Sequence, residues 1–294
     1  KEWSPAGIIV GDAVWEHFKA RQDVKSVPYP PCLQGLNDKL EGMRFGEITL
    51  FTSGTGSGKS TVIKEIALDL LEKTEDRIGL ISLEESIGDT AEKFISMSLK
   101  RSISNPPPLT EEDLKAGFDT VFGDERLVLL DHQGSVGDSS LIDKIEYMCL
   151  MGCKYLVLDH ITIAVSEGSE GLSGNEAIDK IMSDLLKVVK RHNVWLGLIS
   201  HLRKAQAGKS FEEGNLASID DIKGSGSIKQ ISFDIIAFAR NLVAQDDHER
   251  NTIKFRVLKS RFTGRTGDAG SATYDPKTTR LTNSRDTEFE AVDL

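Results

Sequence analysis

The run Ser53-Gly54-Thr55-Gly56-Ser57-Gly58-Lys59-Ser60 follows the apolar segment Ile48-Thr49-Leu50-Phe51 and precedes a helical pattern of Val62, Ile63, Ile66, Ala67 and Leu70. A strand that enters a glycine-rich turn and leaves as a helix is a phosphate-binding P-loop in its proper setting, and it commits the chain to an α/β fold. The glycines let backbone N–H groups turn inward on phosphate, and the helix directs its positive end to the same point. Lys59 is placed to reach the β and γ phosphates of a nucleoside triphosphate and Ser60 to hold Mg²⁺, with Thr61 as the last residue of the nucleotide-binding run. The usual first glycine of the motif is Ser53 here, a residue small enough to keep the turn.

Around this motif, apolar strands alternate with amphipathic helices. Strands are expected at 48–53, 78–83, 127–131, 155–159 and 194–200, with helices near 59–72, 89–101, 111–121, 139–151 and 176–192. Such alternation means a mainly parallel sheet with helices on both faces. After residue 200 the pattern changes to a polar loop, a Gly-Ser-rich turn and strands at 233–239, 252–260 and 270–275, expected to extend the sheet in antiparallel fashion. Pro28-Tyr29-Pro30-Pro31 sets off an N-terminal segment, and Asn105-Pro106-Pro107-Pro108 separates two helices. The expected division is a linker segment with an amphipathic docking helix over 1–34, a nucleotide-binding domain over 35–283 and an acidic, disordered tail over 284–294.

Charge narrows the possible partners. With 36 Lys and Arg against 46 Asp and Glu, and a formal net charge of −10, the surface as a whole cannot coat nucleic acid, so any such contact must be local. Cys32, Cys149 and Cys153 are too few and too irregular for a disulfide framework, which implies a reducing compartment. The Cys149/Cys153 spacing reads as small buried thiols rather than as a metal pair. No apolar stretch approaches the ~18 residues of a membrane span, and no signal peptide opens the chain. The first residue is Lys1 rather than Met, so an upstream domain is expected.

Two further elements carry chemistry. Leu156-Val157-Leu158-Asp159 ends a buried strand in a carboxylate, expected to lie next to the P-loop strand, where it would hold Mg²⁺ through water. Leu127-Val128-Leu129-Leu130-Asp131 has the same form and is its rival. Ile81-Ser82-Leu83-Glu84-Glu85 ends a strand in paired carboxylates, of which one can orient or deprotonate the water that attacks the γ-phosphate. Glu85 also suits a plain helix-capping role.

From Gly35 to its end, the chain resembles the helicase half of the bacteriophage gene-4-type primase-helicases, relatives of the DnaB-like replicative helicases and mitochondrial Twinkle. The resemblance rests on ordered motifs: Ser53 to Ser60, Leu83-Glu84-Glu85-Ser86, Leu158-Asp159-His160-Ile161, Ser200-His201-Leu202, Asp221-Ile222-Lys223-Gly224-Ser225-Gly226, and Leu258-Lys259-Ser260-Arg261-Phe262-Thr263-Gly264. It implies a RecA-like motor domain that hydrolyses ATP or a dNTP with Mg²⁺. Within that resemblance Glu84 looks like the catalytic base, His201 the γ-phosphate sensor, Gln230 a second sensor, Arg261 the arginine finger with Lys259 beside it, and Tyr274 the aromatic that stacks on the nucleotide base. Asp159 takes the metal with Ser60.

An arginine finger requires a neighbour, because Arg261 is expected on a different edge of the sheet from its own P-loop. The resemblance therefore implies a homo-oligomer, a hexameric ring. Val14, Trp15 and Phe18 form an apolar stripe on a short helix that resembles the family's linker helix, which docks on an adjacent subunit; packing on its own domain is the other reading. Single-stranded DNA is expected to run past Arg203, Lys204 and Lys209 and past Lys223 and Gly224, loops that copies around a channel would turn into a basic track. In phage relatives an acidic tail contacts the replicative polymerase; here the tail ends in Leu294 with Phe289 inside it. The implied setting is the cytoplasm of a bacterial or phage-infected cell, with the mitochondrial matrix as the lesser alternative. Alternatives to a replicative helicase are a RecA-type recombination ATPase and a nucleotide-switched assembly ATPase without DNA.

Overall fold

Burial at every position of β1 (Ile48–Ser53) demands cover on both faces of its sheet. A computed structural model, describing residues 6–131, 140–161, 174–202, 210–222 and 226–284, supplies that cover. Its other strands are β2 (Arg77–Ser82), β3 (Leu127–Asp131), β4 (Cys153–Asp159), β5 (Trp195–His201), β6 (Asp234–Arg240), β7 (Thr252–Ser260), β8 (Gly267–Asp275) and β9 (Arg280–Asn283). They form one nine-stranded sheet in the order β3-β2-β4-β5-β1-β6-β7-β8-β9. Pairing is parallel from β3 across to β6. It is antiparallel from β6 to β9.

Alternate residues of the central strands point to opposite faces and feed two apolar clusters. Phe51 joins Val62, Ile66 and Leu70 of the helix Lys59–Lys73, together with Phe238. Leu50 and Leu198 join Met182, Leu185 and Val189 of the helix Gly174–His192 on the other side. Each such side chain contributes about 1.5–3 kcal/mol on burial. Side-chain caps start the intervening helices: Ser86 accepts from the Asp89 N–H at 3.1 Å, and Thr110 with Asp113 forms a capping box ahead of Glu111–Phe122.

Every strand expected from an apolar run is present. The chain adds β9 and a helix over Gln34–Leu40. The latter contributes Leu36 and Leu40 to the core, along with Tyr29 and Leu33 just before it, so packing begins ahead of residue 35. Gly35 lets this helix lie against β8: a Cβ there would fall 1.9 Å from the Ala269 carbonyl oxygen. Because the obstacle is backbone, Gly35→Ala is expected to lower unfolding stability by about 1–3 kcal/mol, read as a lower denaturant midpoint. A parent-like midpoint would mean that β8 yields at no cost.

A buried polar knot fixes the end of the sheet where β1 begins. Arg44, 1% exposed, donates to the Leu40 carbonyl at 2.7 Å, to Glu47 at 3.0 Å and to Asp234 at 3.1 Å. Burial pushes Asp234 up to about 6, against the pull of the Arg44 charge. The helix Asp12–Gln22 buries none of its own residues, leaving Val14, Trp15 and Phe18 exposed. Arg21 ties its last turn to the domain, donating to the Phe262 carbonyl at 3.3 Å with its guanidinium 3.8 Å from the Phe262 ring centroid.

Candidate functional site

The lateral order of the strands assembles the site at one end of the sheet. Ser53 at the end of β1 pairs with His201 at the end of β5, and Asp159 at the end of β4 pairs with Ser82 at the end of β2, two residues before Glu84. β5 lies between β1 and β4, which corrects the expectation that the Asp159 strand adjoins the P-loop strand. The two are still near enough for Asp159 and Ser60 to line the same open cleft, with Glu84 on its wall. Asp131 pairs with Ser82 from the outer side, on the edge strand β3, and is absent from that lining.

The P-loop is walled by apolar side chains. Gly56 and Gly58 take positive φ angles of 74° and 93°, open to glycine at little strain. A Cβ on Gly58 would come 2.7 Å from Ile253 Cδ1, and one on Gly54 would come 2.9 Å from Phe211 Cβ. Ser57 donates to the Gly54 carbonyl at 2.5 Å, closing the turn that Thr55 and Gly56 span, and Thr61 follows inside the helix. Ser53 is fully buried in the strand, so the residue replacing the usual glycine packs there without leaving β1.

Lys59 and His201 are in contact, Nζ to Nδ1 at 2.8 Å. Desolvation lowers the Lys59 pKa, with the Asp159 and Glu84 charges acting the other way. Desolvation likewise raises Asp159, opposed by Lys59. Such a carboxylate gains from a cation beside it. An oxygen-only pair, the Ser60 hydroxyl and the Asp159 carboxylate, fits a hard cation such as Mg²⁺.

The two adjacent glutamates have different surroundings. Lys64 donates to Ser60 Oγ at 2.5 Å and to Glu85 at 2.7 Å, and Lys93 also bonds Glu85, whose side chain is only 14% exposed. Glu84 is 60% exposed and pairs with His160 at 3.0 Å. Burial works to raise the Glu84 pKa, but the His160 hydrogen bond and the His160, His201 and Lys59 charges outweigh it and hold the group below the usual carboxylate range. It is therefore ionised at neutral pH and open to water, as a base must be. His160 and Lys64 were assigned no role from sequence; the signals for them were the Asp159-His160 step at a strand end and a lysine one turn beyond the P-loop.

Arg261, Lys259 and Gln230 come together elsewhere. Lys259 Nζ donates to the carbonyls of Lys229 at 2.6 Å and Ser232 at 2.7 Å, at the C-terminal end of the helix Gly226–Ile231, where a cation is favoured. Arg261 bonds the Gln230 carbonyl and sits 5.0 Å from the Phe233 ring centroid. Arg261 follows β7, an interior strand, so the expectation of a sheet edge is corrected: what separates it from its P-loop is the length of the sheet. Ser260 is level with Asp234, which is level with Thr49 near the start of β1. Tyr274, near the end of β8, is half-buried against the core and interacts with Arg240. Arg203, Lys204, Lys209, Lys223 and Gly224, and the tail from 285, lie outside the described residues.

A glycine-rich loop between β1 and its helix, facing acidic strand ends across a parallel sheet, defines a nucleoside-triphosphate-binding α/β domain. Residues 30–283 match the DnaB-like helicase C terminal domain, and the chain belongs to that family. It is similar to the DNA helicase/primase of Enterobacteria phage T3, at 35% identity over 285 residues, covering 94% of this chain and 50% of that protein. The chain thus spans about half the length of that relative. Its fold is similar to a solved ATPase domain, with a TM-score of 0.72 and 17% identity, covering 92% of this chain and 95% of that one. A second likeness is to a DnaB-like replicative helicase solved for its interactions with primase, with a TM-score of 0.71 and 15% identity, covering 94% of this chain and 68% of that one. The architecture is RecA-like: a mostly parallel sheet, helices around it, and antiparallel C-terminal strands.

Proposed function

We propose that this chain is the motor of a replicative DNA helicase, hydrolysing ATP or a dNTP within a hexameric ring and moving along single-stranded DNA to part a duplex. The observation that carries this reading is the split in the machinery. Lys59, Ser60, Glu84, Asp159 and His201 converge at one end of the sheet, and Arg261 stands toward the other. A neighbour's Arg261 would complete each site, with that neighbour's Lys259 beside it and Gln230 as a second phosphate sensor.

In this reading, Lys59 leaves His201 for the β and γ phosphates. Glu84 takes a proton from water as the water oxygen attacks the γ phosphorus and the bond to the bridging β–γ oxygen breaks. Ser60 and Asp159 would hold Mg²⁺, which would supply positive charge to the phosphates. His201, released by Lys59, bonds the γ-phosphate and reports its loss along β5 to the loop that follows. Tyr274 stacks on the base. Support for Glu84 over Glu85 is their environment: two lysines hold Glu85, whereas Glu84 is largely exposed to water. Glu84→Gln is expected to retain nucleotide affinity and to lose turnover by roughly 10²–10⁴-fold. Loss of binding in that variant would transfer the base role elsewhere.

DNA would pass Arg203, Lys204, Lys209 and Lys223, with the Gly224 amide also on phosphate. Replacing Arg203, Lys209 and Lys223 with Ala is expected to weaken single-stranded DNA binding and make its log–log salt dependence shallower by roughly 2, at about 0.7 per lost phosphate contact. An unchanged slope would move the track off these loops. The exposed stripe of Val14, Trp15 and Phe18 would dock on the adjacent subunit. A primase domain joined to the motor, a polymerase met by the acidic tail, and the cytoplasm of an infected bacterial cell complete the setting. The reading as a whole is tested by hydrolysis rates for several triphosphates with and without single-stranded DNA; a rate indifferent to DNA would contradict it.

A further inference from the structure

Glu84, His160 and His201 come from three different strand ends, and one ligand atom from each lies within 4.8 Å of the others. A tetrahedral metal with bonds of roughly 2.0–2.1 Å holds its ligands roughly 3.3 Å apart, so modest side-chain rotation closes the set. The two imidazoles are in contact. Their ring centroids are 4.0 Å apart at 74°. Lys59, as an ammonium, donates to His201 Nδ1 at 2.8 Å, which makes that nitrogen a bare lone pair. His160 is 5% exposed, and beyond its Glu84 contact its Nδ1 is buried with no hydrogen-bond partner among the described residues.

We infer that this trio is a binding site for a borderline divalent transition metal of the Zn²⁺ class, distinct from the Mg²⁺ position at Ser60 and Asp159. Two imidazoles and one carboxylate are a donor set that zinc takes with an open fourth position, and one that Mg²⁺, which demands oxygen, does not. The exposed Glu84 provides the way in. Lys59 is the competitor, since its ammonium must leave His201 before a dication can settle there. On the proposed reading of Glu84 as base and His201 as sensor, the bound metal withdraws both and switches hydrolysis off while Mg²⁺ is abundant.

Binding is measured first, without nucleotide. Co²⁺ is titrated into the chain in excess Mg²⁺ and followed by its visible d–d absorption, with Zn²⁺ competing for the same site. The expected result is one equivalent bound, a spectrum without the near-ultraviolet thiolate charge-transfer band that Cys149 and Cys153 would give, and an affinity that falls at least about tenfold in each of His160→Gln and Glu84→Gln. Glu84 is exposed, so its variant reports even where a change at buried His160 harms folding. No binding, a thiolate band, or an affinity indifferent to Glu84→Gln overturns the site. Zn²⁺ is then added to the hydrolysis assay, with inhibition reversed by a chelator as the expected result. Tight binding at this trio without inhibition would leave the metal site standing and overturn the roles proposed for Glu84 and His201.

Discussion

Arg261→Ala is expected to hydrolyse nucleoside triphosphate roughly 10³–10⁵-fold more slowly than the parent chain at saturating nucleotide, measured as steady-state phosphate release. The size follows from the charge that spreads over the γ-phosphoryl oxygens in the transition state, which a guanidinium stabilises most when water is excluded. Nucleotide affinity should fall far less than turnover, because the contact matters chiefly in the transition state. Arg261→Lys should restore little, since an ammonium lacks the planar fork. In its own subunit the residue is spent on the Gln230 carbonyl and the Phe233 ring, removed from Lys59 along the sheet. A parent-like rate in Arg261→Ala would remove the finger.

Lys59→Ala is the second large loss, expected to reduce turnover by more than roughly 10²–10³-fold and, unlike Arg261→Ala, to weaken nucleotide binding as well. Lys59 is desolvated beside His201, so its ammonium is held where phosphate charge repays the burial. The fold should survive, because the helix Lys59–Lys73 is anchored by Val62, Ile66 and Leu70 rather than by the lysine head group. Asp159→Asn belongs to the same class of loss, and Asp131→Asn does not. Asp131 lies on the outer strand β3, with β2 between it and β4. The reverse outcome, a normal Asp159→Asn and a dead Asp131→Asn, would exchange the two roles.

Much of this architecture is legible in the chain because a strand buried on both faces writes itself as a continuous apolar run. Ile48 to Phe51, broken only by Thr49, Leu156 to Leu158, and Val194 to Ile199, broken only by Gly197, are examples, each followed by a polar residue. Arg280-Leu281-Thr282-Asn283 carries no such signal. One leucine enters the core, and the strand is held by Arg280, which grips the buried Glu65 at 2.6 Å from the far end of the sequence. The helix Gln34–Leu40 is hidden by its shortness and by Gly35, which is there for close approach to β8. Lateral strand order is likewise unwritten in any local pattern, which is why β5 intervenes between β1 and β4. At the site, the motif residues Lys59, Glu84, Asp159 and His201 could be named from their places at strand ends. The contacts of His160 with Glu84 and of Lys64 with Glu85 join residues distant in sequence, so they appear in three dimensions alone.

Mixing two inactive chains tests the shared site most directly. Arg261→Ala subunits keep a complete P-loop and lack the finger; Lys59→Ala subunits keep the finger and lack the P-loop lysine. Their defects fall on opposite sides of one interface, so random co-assembly creates sites in which an intact Lys59 faces an intact Arg261. Basal hydrolysis is the quantity to follow, because a ring that fires in strict order would mask rescue of DNA-stimulated turnover. The account predicts that the mixture hydrolyses nucleotide well above either chain alone, with a maximum at an intermediate ratio. A mixture no more active than the sum of its parts, or a parent chain that keeps its full rate when diluted to monomer, would contradict a site completed by the neighbouring subunit.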